Sequence, residues 1–213
     1  MGKSRPNLAG KPPPPPFMMA DDKRSLVLRA AHKIFLRDGF SVTSMDAITL
    51  EAGVSKATVY AHFDSKDKLF ETLIHLGSEA ALKSTPSLER KGGDPRVELL
   101  TFFRPFLQLL FGSGGYAWSR MLIADAPRHP HNAQLFFDCT VERITQTVER
   151  YLQALAQDGL FPADNIRLSA EALVAMVLLG PLHRALLIGT EAIDFQQTLE
   201  FGIDLLLRNS PRA

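Results

Sequence analysis

Apolar residues recur at the three- and four-residue spacing of an α-helix along most of the chain after residue 20. The alternation of period two that marks a half-buried strand does not occur convincingly in the sequence. The first apolar stripe consists of Leu26, Val27, Ala30, Ala31, Ile34 and Phe35. It predicts a helix between Asp21 and Gly39, since acidic residues favour a helix start and glycine favours its end. The pattern therefore indicates an all-α fold.

Two short helices are predicted next. Thr43 begins a Ser/Thr-x-x-acid sequence that is typical of a helix N-terminus, and Gly53 is expected to end this second helix. Ser55 is expected to cap a third helix that extends to about Phe63. Because only residues 52–55 link the two helices, the pair predicts a helix-turn-helix.

Six further helices are predicted after the helix-turn-helix, which gives about nine in all. The apolar spacing and the flanking residues place them at about 66–83, 95–111, 116–126, 132–157, 169–188 and 195–208. Bends are expected at Pro105 and at Gly180-Pro181, since proline removes a backbone hydrogen bond of a helix. The predicted organisation is a three-helix head at 20–66 and a larger helical-bundle body at 67–213 that binds a ligand and dimerises.

Residues 1–19 contain the run Pro12 to Pro16, which favours an extended conformation and predicts a disordered, Pro-rich tail. Two roles stay open for this tail. Lys3, Arg5 and Lys11 would let it contact DNA phosphates as a flexible arm, or it is a solvated segment without a role.

The composition is that of a globular protein. Of 213 residues, 46% are hydrophobic and 22% are charged, which excludes a wholly disordered or fibrous chain. The longest strongly apolar run extends from Ala172 to Leu182 and is shorter than the roughly 20 residues of a membrane span. No apolar segment follows Lys3 and Arg5, so a signal peptide is not expected. We therefore expect a cytoplasmic protein without a membrane partner.

Charge is distributed unevenly along the chain. Residues 1–70 carry 11 Lys and Arg against 7 Asp and Glu, whereas residues 71–213 carry 13 against 16. A basic head on an acidic body fits a nucleic-acid-binding protein, and the alternative is a chance asymmetry.

Motifs of enzymes are absent from the sequence. It contains no Gly-rich phosphate loop, nucleophile elbow or His-Glu metal motif, so we expect neither an enzyme nor a cofactor. The one candidate cluster consists of Asp125, Arg128, His129 and His131. Two prolines interrupt it, so it lacks the helical face on which two metal ligands would meet. A single cysteine, Cys139, excludes an internal disulfide and a multi-cysteine metal site.

The stretch 43–69 reads TSMDAITLEAGVSKATVYAHFDSKDKL and resembles the tetracycline-repressor (TetR) family of bacterial transcription regulators. The positions in register with that family's signature are Thr43, Ile48, Ala52, Gly53, Val54, Ser55, Val59, Tyr60, His62, Phe63, Lys66 and Leu69. Thr49 departs from the alanine that is usual there. The stretch 121–137 is similar to the body of the AefR-like branch of the family.

A recognition helix needs exposed side chains that reach base edges in the major groove. With Val59 and Phe63 on the inner face of the third helix, Lys56 suits guanine, and Ala57 and Tyr60 suit a thymine methyl group. Donors and a helix N-terminus suit phosphates. The predicted DNA-binding residues are Thr43, Ser55, Lys56, Ala57, Thr58, Tyr60, His62 and Lys66. The alternatives are that Tyr60 packs on the second helix, that His62 is structural, and that Lys56 is a solvated charge.

A single head makes few phosphate contacts, so specific binding to a palindromic operator requires two heads about 34–36 Å apart. We expect a homodimer formed by the last two helices, as in the family. The candidate stripes are Val174, Val177, Leu178, Leu182, Leu199, Ile203 and Leu206. The alternative is that these stripes face the core of their own chain.

The family resemblance implies a pocket for a small-molecule effector in the body. The candidate lining residues are Phe102, Phe103, Phe106, Trp118, Met121, Leu122, Phe136, Phe137, Cys139, Arg143, Met176 and His183. This mostly apolar set would suit a lipophilic or aromatic compound, and the alternative is that it is ordinary core. The effector is expected to tilt the helix at 66–83 and so release the head from DNA.

The function we expect is a ligand-responsive, dimeric repressor of transcription that binds double-stranded DNA. A helical interaction module or an enzyme without DNA binding is the alternative.

Overall fold

The computed structural model describes residues 20–83, 85–112, 116–189 and 194–208, and the predicted tail at 1–19 lies outside them. All regular structure in this part of the chain is helical, which confirms the all-α prediction. The nine helices are α1 (Lys23–Asp38), α2 (Met45–Ala52), α3 (Lys56–His62), α4 (Lys66–Lys83), α5 (Pro95–Gly112), α6 (Tyr116–Asp125), α7 (130–157), α8 (Ile166–Ile188) and α9 (Phe195–Arg208).

Side-chain caps fix the start of the head helices. Asp22 caps α1 and Ser55 caps α3, as their positions in the sequence predict. The predicted cap of α2 is wrong by one residue, because Ser44 accepts the hydrogen bond from the Ala47 amide at 3.1 Å. Thr43 is buried instead, and its hydroxyl donates to the Gly39 carbonyl at 2.6 Å.

The turn between α2 and α3 depends on one glycine. Gly53 has φ +65°, a left-handed conformation that a residue with a side chain adopts only at a cost. It ends α2, and α3 begins three residues later at Lys56. This confirms the tight helix-turn-helix that the sequence predicts.

Two of the long helices contain a π turn. The segment Asp138–Glu142 interrupts α7, and Ala175–Leu179 interrupts α8 directly before Gly180-Pro181. Since Pro181 has no N–H to donate, the local change of hydrogen bonding lies where the bend was predicted.

Buried apolar residues form two separate cores. The head core contains α1 to α3, the first half of α4, and Met121 and Leu122 of α6. The body core contains residues of α5, α7, α8 and α9, including Phe103 and Tyr151. The predicted boundary at 66/67 falls in the first turn of α4, within the helix that packs in the head core.

The last two helices approach each other closely at Gly202 of α9. A Cβ atom at this position would lie 2.9 Å from Cγ1 of Val177 and 3.1 Å from Sδ of Met176, both in α8. Both atoms belong to side chains, so a residue larger than glycine at this crossing would have to displace Val177 and Met176.

By length and composition alone, α8 could cross a membrane, since its 23 residues include a window of mean hydropathy 1.7. This is weak evidence, because a helix of a soluble bundle passes the same test. Only 33% of that window is buried within the chain. The exposed positions of α8 include Glu171, His183 and Arg184, which are unfavourable in lipid.

Candidate nucleic-acid interface

The third helix divides into a buried and an exposed side as its sequence predicts. Val59 is fully buried and Phe63 is 4% exposed, and both pack in the head core. Ala57 and Tyr60 lie on the opposite side, where Tyr60 is 43% exposed. Its ring is therefore not sequestered against α2. The two small alanines at 57 and 61 flank it and leave the surface open to a close approach.

The hydroxyl groups at the start of α3 are committed to the cap. The Ser55 hydroxyl accepts from the Thr58 amide at 3.1 Å and lies 2.8 Å from the Thr58 hydroxyl. Ser55 is exposed and Thr58 is half-buried. His62 ends the helix and is exposed, with its ring 6.4 Å from that of Phe63. These three polar groups border the exposed side of α3.

Lys56 projects from the first turn of α3 and is paired with an acid. Its ammonium lies 2.7 Å from a carboxylate oxygen of Asp46 in α2, and the hydrogen bond raises the pKa of Lys56. Both side chains are largely exposed, so the pair contributes little to stability. Asp46 was expected only as part of a helix cap. The structure adds it to the candidate interface as the ion-pair partner of Lys56.

The structure does not place Lys66 as a free phosphate donor. Its ammonium donates to the carbonyls of Phe40 and Ser41 at 2.7 and 3.3 Å, and it lies 4.4 Å from the centre of the Phe40 ring. Burial lowers the pKa of Lys66. These contacts tie Lys66 to the α1–α2 turn, and its role in phosphate binding stays a prediction. The buried hydroxyl of Thr43 is likewise committed to the Gly39 carbonyl.

A carboxylate of the body accepts hydrogen bonds from the same turn. Asp125, at the end of α6, accepts hydrogen bonds from the amides of Phe40 and Ser41 at 2.9 and 3.2 Å, and from the Ser41 hydroxyl at 2.7 Å. Burial opposes ionisation of Asp125, but these hydrogen bonds outweigh it and lower the pKa of its carboxyl. We call the contacts of Asp125 and Lys66 with residues 40 and 41 the junction clasp.

His129 completes this corner of the molecule. Its Nε2 lies 3.2 Å from the Ser41 hydroxyl, and its ring meets the Phe40 ring edge-on at 4.7 Å. Asp125 and His129 thus meet in the fold as members of the acidic and basic cluster noted in the sequence. They contact the head, and the part of the chain that the structure describes contains no group of three or more potential metal ligands.

A second polar contact joins head and body at His32 of α1. Trp118 of α6 donates its indole N–H to Nε2 of His32 at 3.0 Å, so this nitrogen must be unprotonated. Burial lowers the pKa of His32 below its ordinary value of 6.5. The neutral ring is therefore part of the folded state at neutral pH.

We expect the protein to lose stability as the pH falls below 6.5, because the unfolded state then binds a proton that folded His32 resists. The measurement is the free energy of unfolding in urea at pH 7.5, 6.5 and 5.5, at one protein concentration. His32→Gln should reduce the slope, since glutamine does not titrate. His62→Gln, at an exposed position of the head, is the control and should keep the slope of the unaltered protein. Equal slopes for both variants would contradict this role of His32.

The predicted effector-lining residues do not surround one cavity. Phe102, Phe103, Phe106 and Met176 belong to the body core, whereas Trp118, Met121, Leu122, Phe136 and Cys139 belong to the head core. Phe137, Arg143 and His183 are exposed. Helical spacing indicates that a side chain is buried but not in which core. The helix α6 and the first part of α7 belong to the head core, because they pack against α1 and α4.

A groove of about 340 Å³ lies between α8, α9 and the segment before α8. Its lining consists of Phe161, Pro162, Asp164, Asn165, Ser169, Ala172, Leu173, Met176, Gly202, Leu205 and Leu206. Only Met176 was among the predicted lining residues. Beside this groove, α8 and α9 expose large apolar side chains, namely Leu168, Leu179, Leu187, Ile188, Phe201 and Leu205.

Two family profiles match the chain. "Bacterial regulatory proteins, tetR family" matches residues 27–73, and "AefR-like transcriptional repressor, C-terminal domain" matches residues 97–201. The first covers the helix-turn-helix, and the second covers most of the helices that build the body core.

Solved structures and curated proteins agree with these profiles. The structure titled "Flavonoid-responsive Regulator FrrA" is 31% identical, with 91% of this chain and 100% of that chain covered and a TM-score of 0.78. A putative TetR-family regulator of Mesorhizobium loti MAFF303099 is 24% identical and supports the fold, with 89% and 97% covered and a TM-score of 0.76. The transcriptional regulator YhgD of Bacillus subtilis (strain 168) is 27% identical over 67% of this chain and 71% of its own length.

Proposed function

Because the chain belongs to the TetR family of transcription regulators, which are DNA-binding proteins and not enzymes, we propose that it is a ligand-responsive repressor. In this proposal it binds a palindromic operator as a homodimer. A small, mostly apolar effector releases it from DNA. The alternatives of an interaction module or an enzyme have no comparable site among the described residues.

The exposed side of α3 carries the proposal for DNA binding. Its buried residues anchor the helix to the head core, and Tyr60 stands beside two small residues on the outer side. An aromatic ring and alanine methyl groups suit the thymine methyl group, and Lys56 suits the acceptors of guanine. Few groups read bases here, so the shape of the operator is expected to contribute to specificity.

The apolar face of α8 and α9 supports a homodimer. Phe201 is 57% exposed and Leu187 is 70% exposed, and contiguous apolar surface of this kind marks a protein interface. A second copy related by a twofold axis would bury the same residues on both chains. This arrangement also explains why so little of the apolar window of α8 is buried within one chain. The groove beside this face would lie at the edge of the interface.

The body core supports an aromatic effector. It is rich in phenylalanine, with Phe102 and Phe103 packed at 5.0 Å between ring centres and Phe111 stacked on Phe195 at 5.7 Å. FrrA, with which this chain shares 31% identity, is described as flavonoid-responsive. We infer that the effector here is a planar aromatic compound that separates these rings. The candidates that remain for its site are Phe102, Phe103, Phe106 and Met176.

Ala57→Glu is the sharpest test of the DNA interface. It places a carboxylate on the outer side of α3 without altering the head core, so we expect operator binding to weaken at least about 30-fold, since each half-site loses about 1–3 kcal/mol. The measurement is fluorescence anisotropy with an operator duplex that the unaltered protein selects from a random-sequence pool. Ala163→Glu, at an exposed position of the body, is the matched control and should bind normally.

Two results would contradict the proposal. One is that the selection enriches no sequence, and the other is that Ala57→Glu binds the selected duplex as well as Ala163→Glu does. Repression is checked by transcription in vitro from a promoter that contains the selected operator, which should fall as protein is added and recover with an active flavonoid-like compound.

A further inference from the structure

One dipeptide of the head is held from both sides. Asp125 of the body accepts from the amides of Phe40 and Ser41, and Lys66 of α4 donates to the carbonyls of the same two residues. Every polar backbone group of the dipeptide is thus bound by a charged side chain. Hydrogen bonds to charged groups are stronger than hydrogen bonds between neutral groups, so these contacts fix the position of the turn.

The dipeptide leads directly into the DNA-binding helices. Thr43 ties the turn back to Gly39, and Ser44 then caps α2. The tight turn at Gly53 joins α2 to α3. A displacement of residues 40 and 41 is therefore passed to α2 and from there to the recognition helix. In contrast to the expected tilt of α4, this connection runs from α6 to α2 without requiring α4 to move.

The contacts around the clasp are tightly packed. Phe40, Asp125, His129 and Asn132 line a space that does not admit a water molecule, so the Asp125 carboxylate has no solvent-filled position beside it to turn into. Asn132 is 3% exposed, and its side-chain nitrogen has no hydrogen-bond partner.

We propose that Asp125 is a positioning residue for operator binding. Its carboxylate holds the amides of Phe40 and Ser41 and so keeps α2, and the recognition helix joined to it, in place. An effector that withdraws the end of α6 from this turn would free the turn and lower the affinity for DNA. The effect on DNA rests on the proposed function, whereas the clasp itself does not.

Asp125→Asn tests this role, because it removes the charge and one acceptor but preserves the shape. We expect hydrogen exchange of the Phe40 and Ser41 amides to accelerate at least about tenfold in the full-length protein, while exchange in α7 and α8 stays unchanged. Affinity for the selected operator should fall about tenfold, within the range typical of coupling between sites. Glu89→Gln, an equal change of charge at an exposed position of the body, should match the unaltered protein in both measurements.

Two further variants separate the clasp from a general loss of stability. Ser41→Ala removes only the hydroxyl at 2.7 Å from Asp125, and its effects should be smaller and not additive with those of Asp125→Asn. Asn132→Ala alters a buried neighbour of the clasp without removing any of the hydrogen bonds of the clasp, so operator affinity and exchange at residues 40 and 41 should stay within twofold of the unaltered protein.

The proposal is overturned if Asp125→Asn accelerates exchange equally along the whole chain or binds operator within twofold of the unaltered protein. It is also overturned if Asn132→Ala weakens operator binding as Asp125→Asn does. Should no operator be selected, the proposed function fails, but local exchange at Phe40 and Ser41 still decides whether Asp125 holds the turn.

Discussion

Phe201→Glu is expected to convert the protein to a monomer at micromolar concentration. Burying a phenylalanine side chain contributes about 1.5–3 kcal/mol, and a twofold interface contains this side chain twice. The variant also places two carboxylates of like charge in an apolar contact. The dissociation constant of the dimer should therefore rise at least about 100-fold, since each 1.4 kcal/mol is a factor of ten. The measurement is sedimentation equilibrium of the purified protein.

Operator binding reports the same change independently. A monomer holds one head on one half-site, so the selected palindrome should be bound only with the weak affinity of a single head. Ile123→Glu is the control, because Ile123 is 61% exposed on α6, which is not one of the two helices of the proposed interface. It should stay dimeric. A dimeric Phe201→Glu protein would remove this face from the proposed interface.

Glu98→Ala is expected to lower the free energy of unfolding by about 1.5–3 kcal/mol, because its donors lose a charged acceptor while Arg90 keeps Asp158 at 2.9 Å. The Glu98 carboxylate accepts from the Tyr151 hydroxyl at 2.6 Å and lies 3.3 Å from Arg90, whose side chain is only 13% exposed. The amides of Lys91 and Gly93 also donate to it. Glu98 thus holds the α4–α5 loop onto α5 and α7.

The pH dependence of this effect has a defined sign. Burial opposes ionisation of Glu98, but its hydrogen bonds outweigh that and lower the pKa of its carboxyl below the ordinary 4.5. The stabilisation is therefore complete at neutral pH and is lost as the pH falls through the folded-state pKa. Urea unfolding at fixed protein concentration should show a difference between Glu98→Ala and the unaltered protein that shrinks in acid. Tyr151→Phe should cost only about 1 kcal/mol. A Glu98→Ala protein as stable as Tyr151→Phe would contradict the role of the buried charge.

Much of the fold could be predicted because its signals are local. Apolar spacing and capping residues lie within one or two turns of the helix they define, so the nine helices and the buried side of α3 follow from the sequence. The error at Thr43 is of the same local kind. Thr43 and Ser44 are both good caps, and only the packing of the turn buries one and leaves the other exposed.

The junction between head and body could not be predicted, because its partners are distant in the sequence. Asp125 and Phe40 are separated by 85 residues, and Lys66 is 26 residues from Phe40. Lys66 matches a family signature, and the sequence predicts that it binds a phosphate. The sequence does not show that its ammonium also donates to two backbone carbonyls in the fold. The effector-lining set failed for a related reason. Trp118 and Phe103 have equally apolar surroundings in the sequence, yet they belong to different cores.

The close approach of α8 and α9 at Gly202 has a consequence for the geometry of the proposed dimer. The helices that meet there form the proposed contact between protomers, so their crossing angle determines how the two subunits splay apart. The 23 residues of α8 measure about 35 Å at 1.5 Å per residue. A rotation of about 5° over that length displaces the far end of the helix by about 3 Å, compared with the roughly 34–36 Å that separate two half-sites on B-form DNA. In the proposed dimer, the packing at Gly202 would therefore help to set the spacing of the two heads, although Gly202 lies far along the chain from any residue that would touch a base.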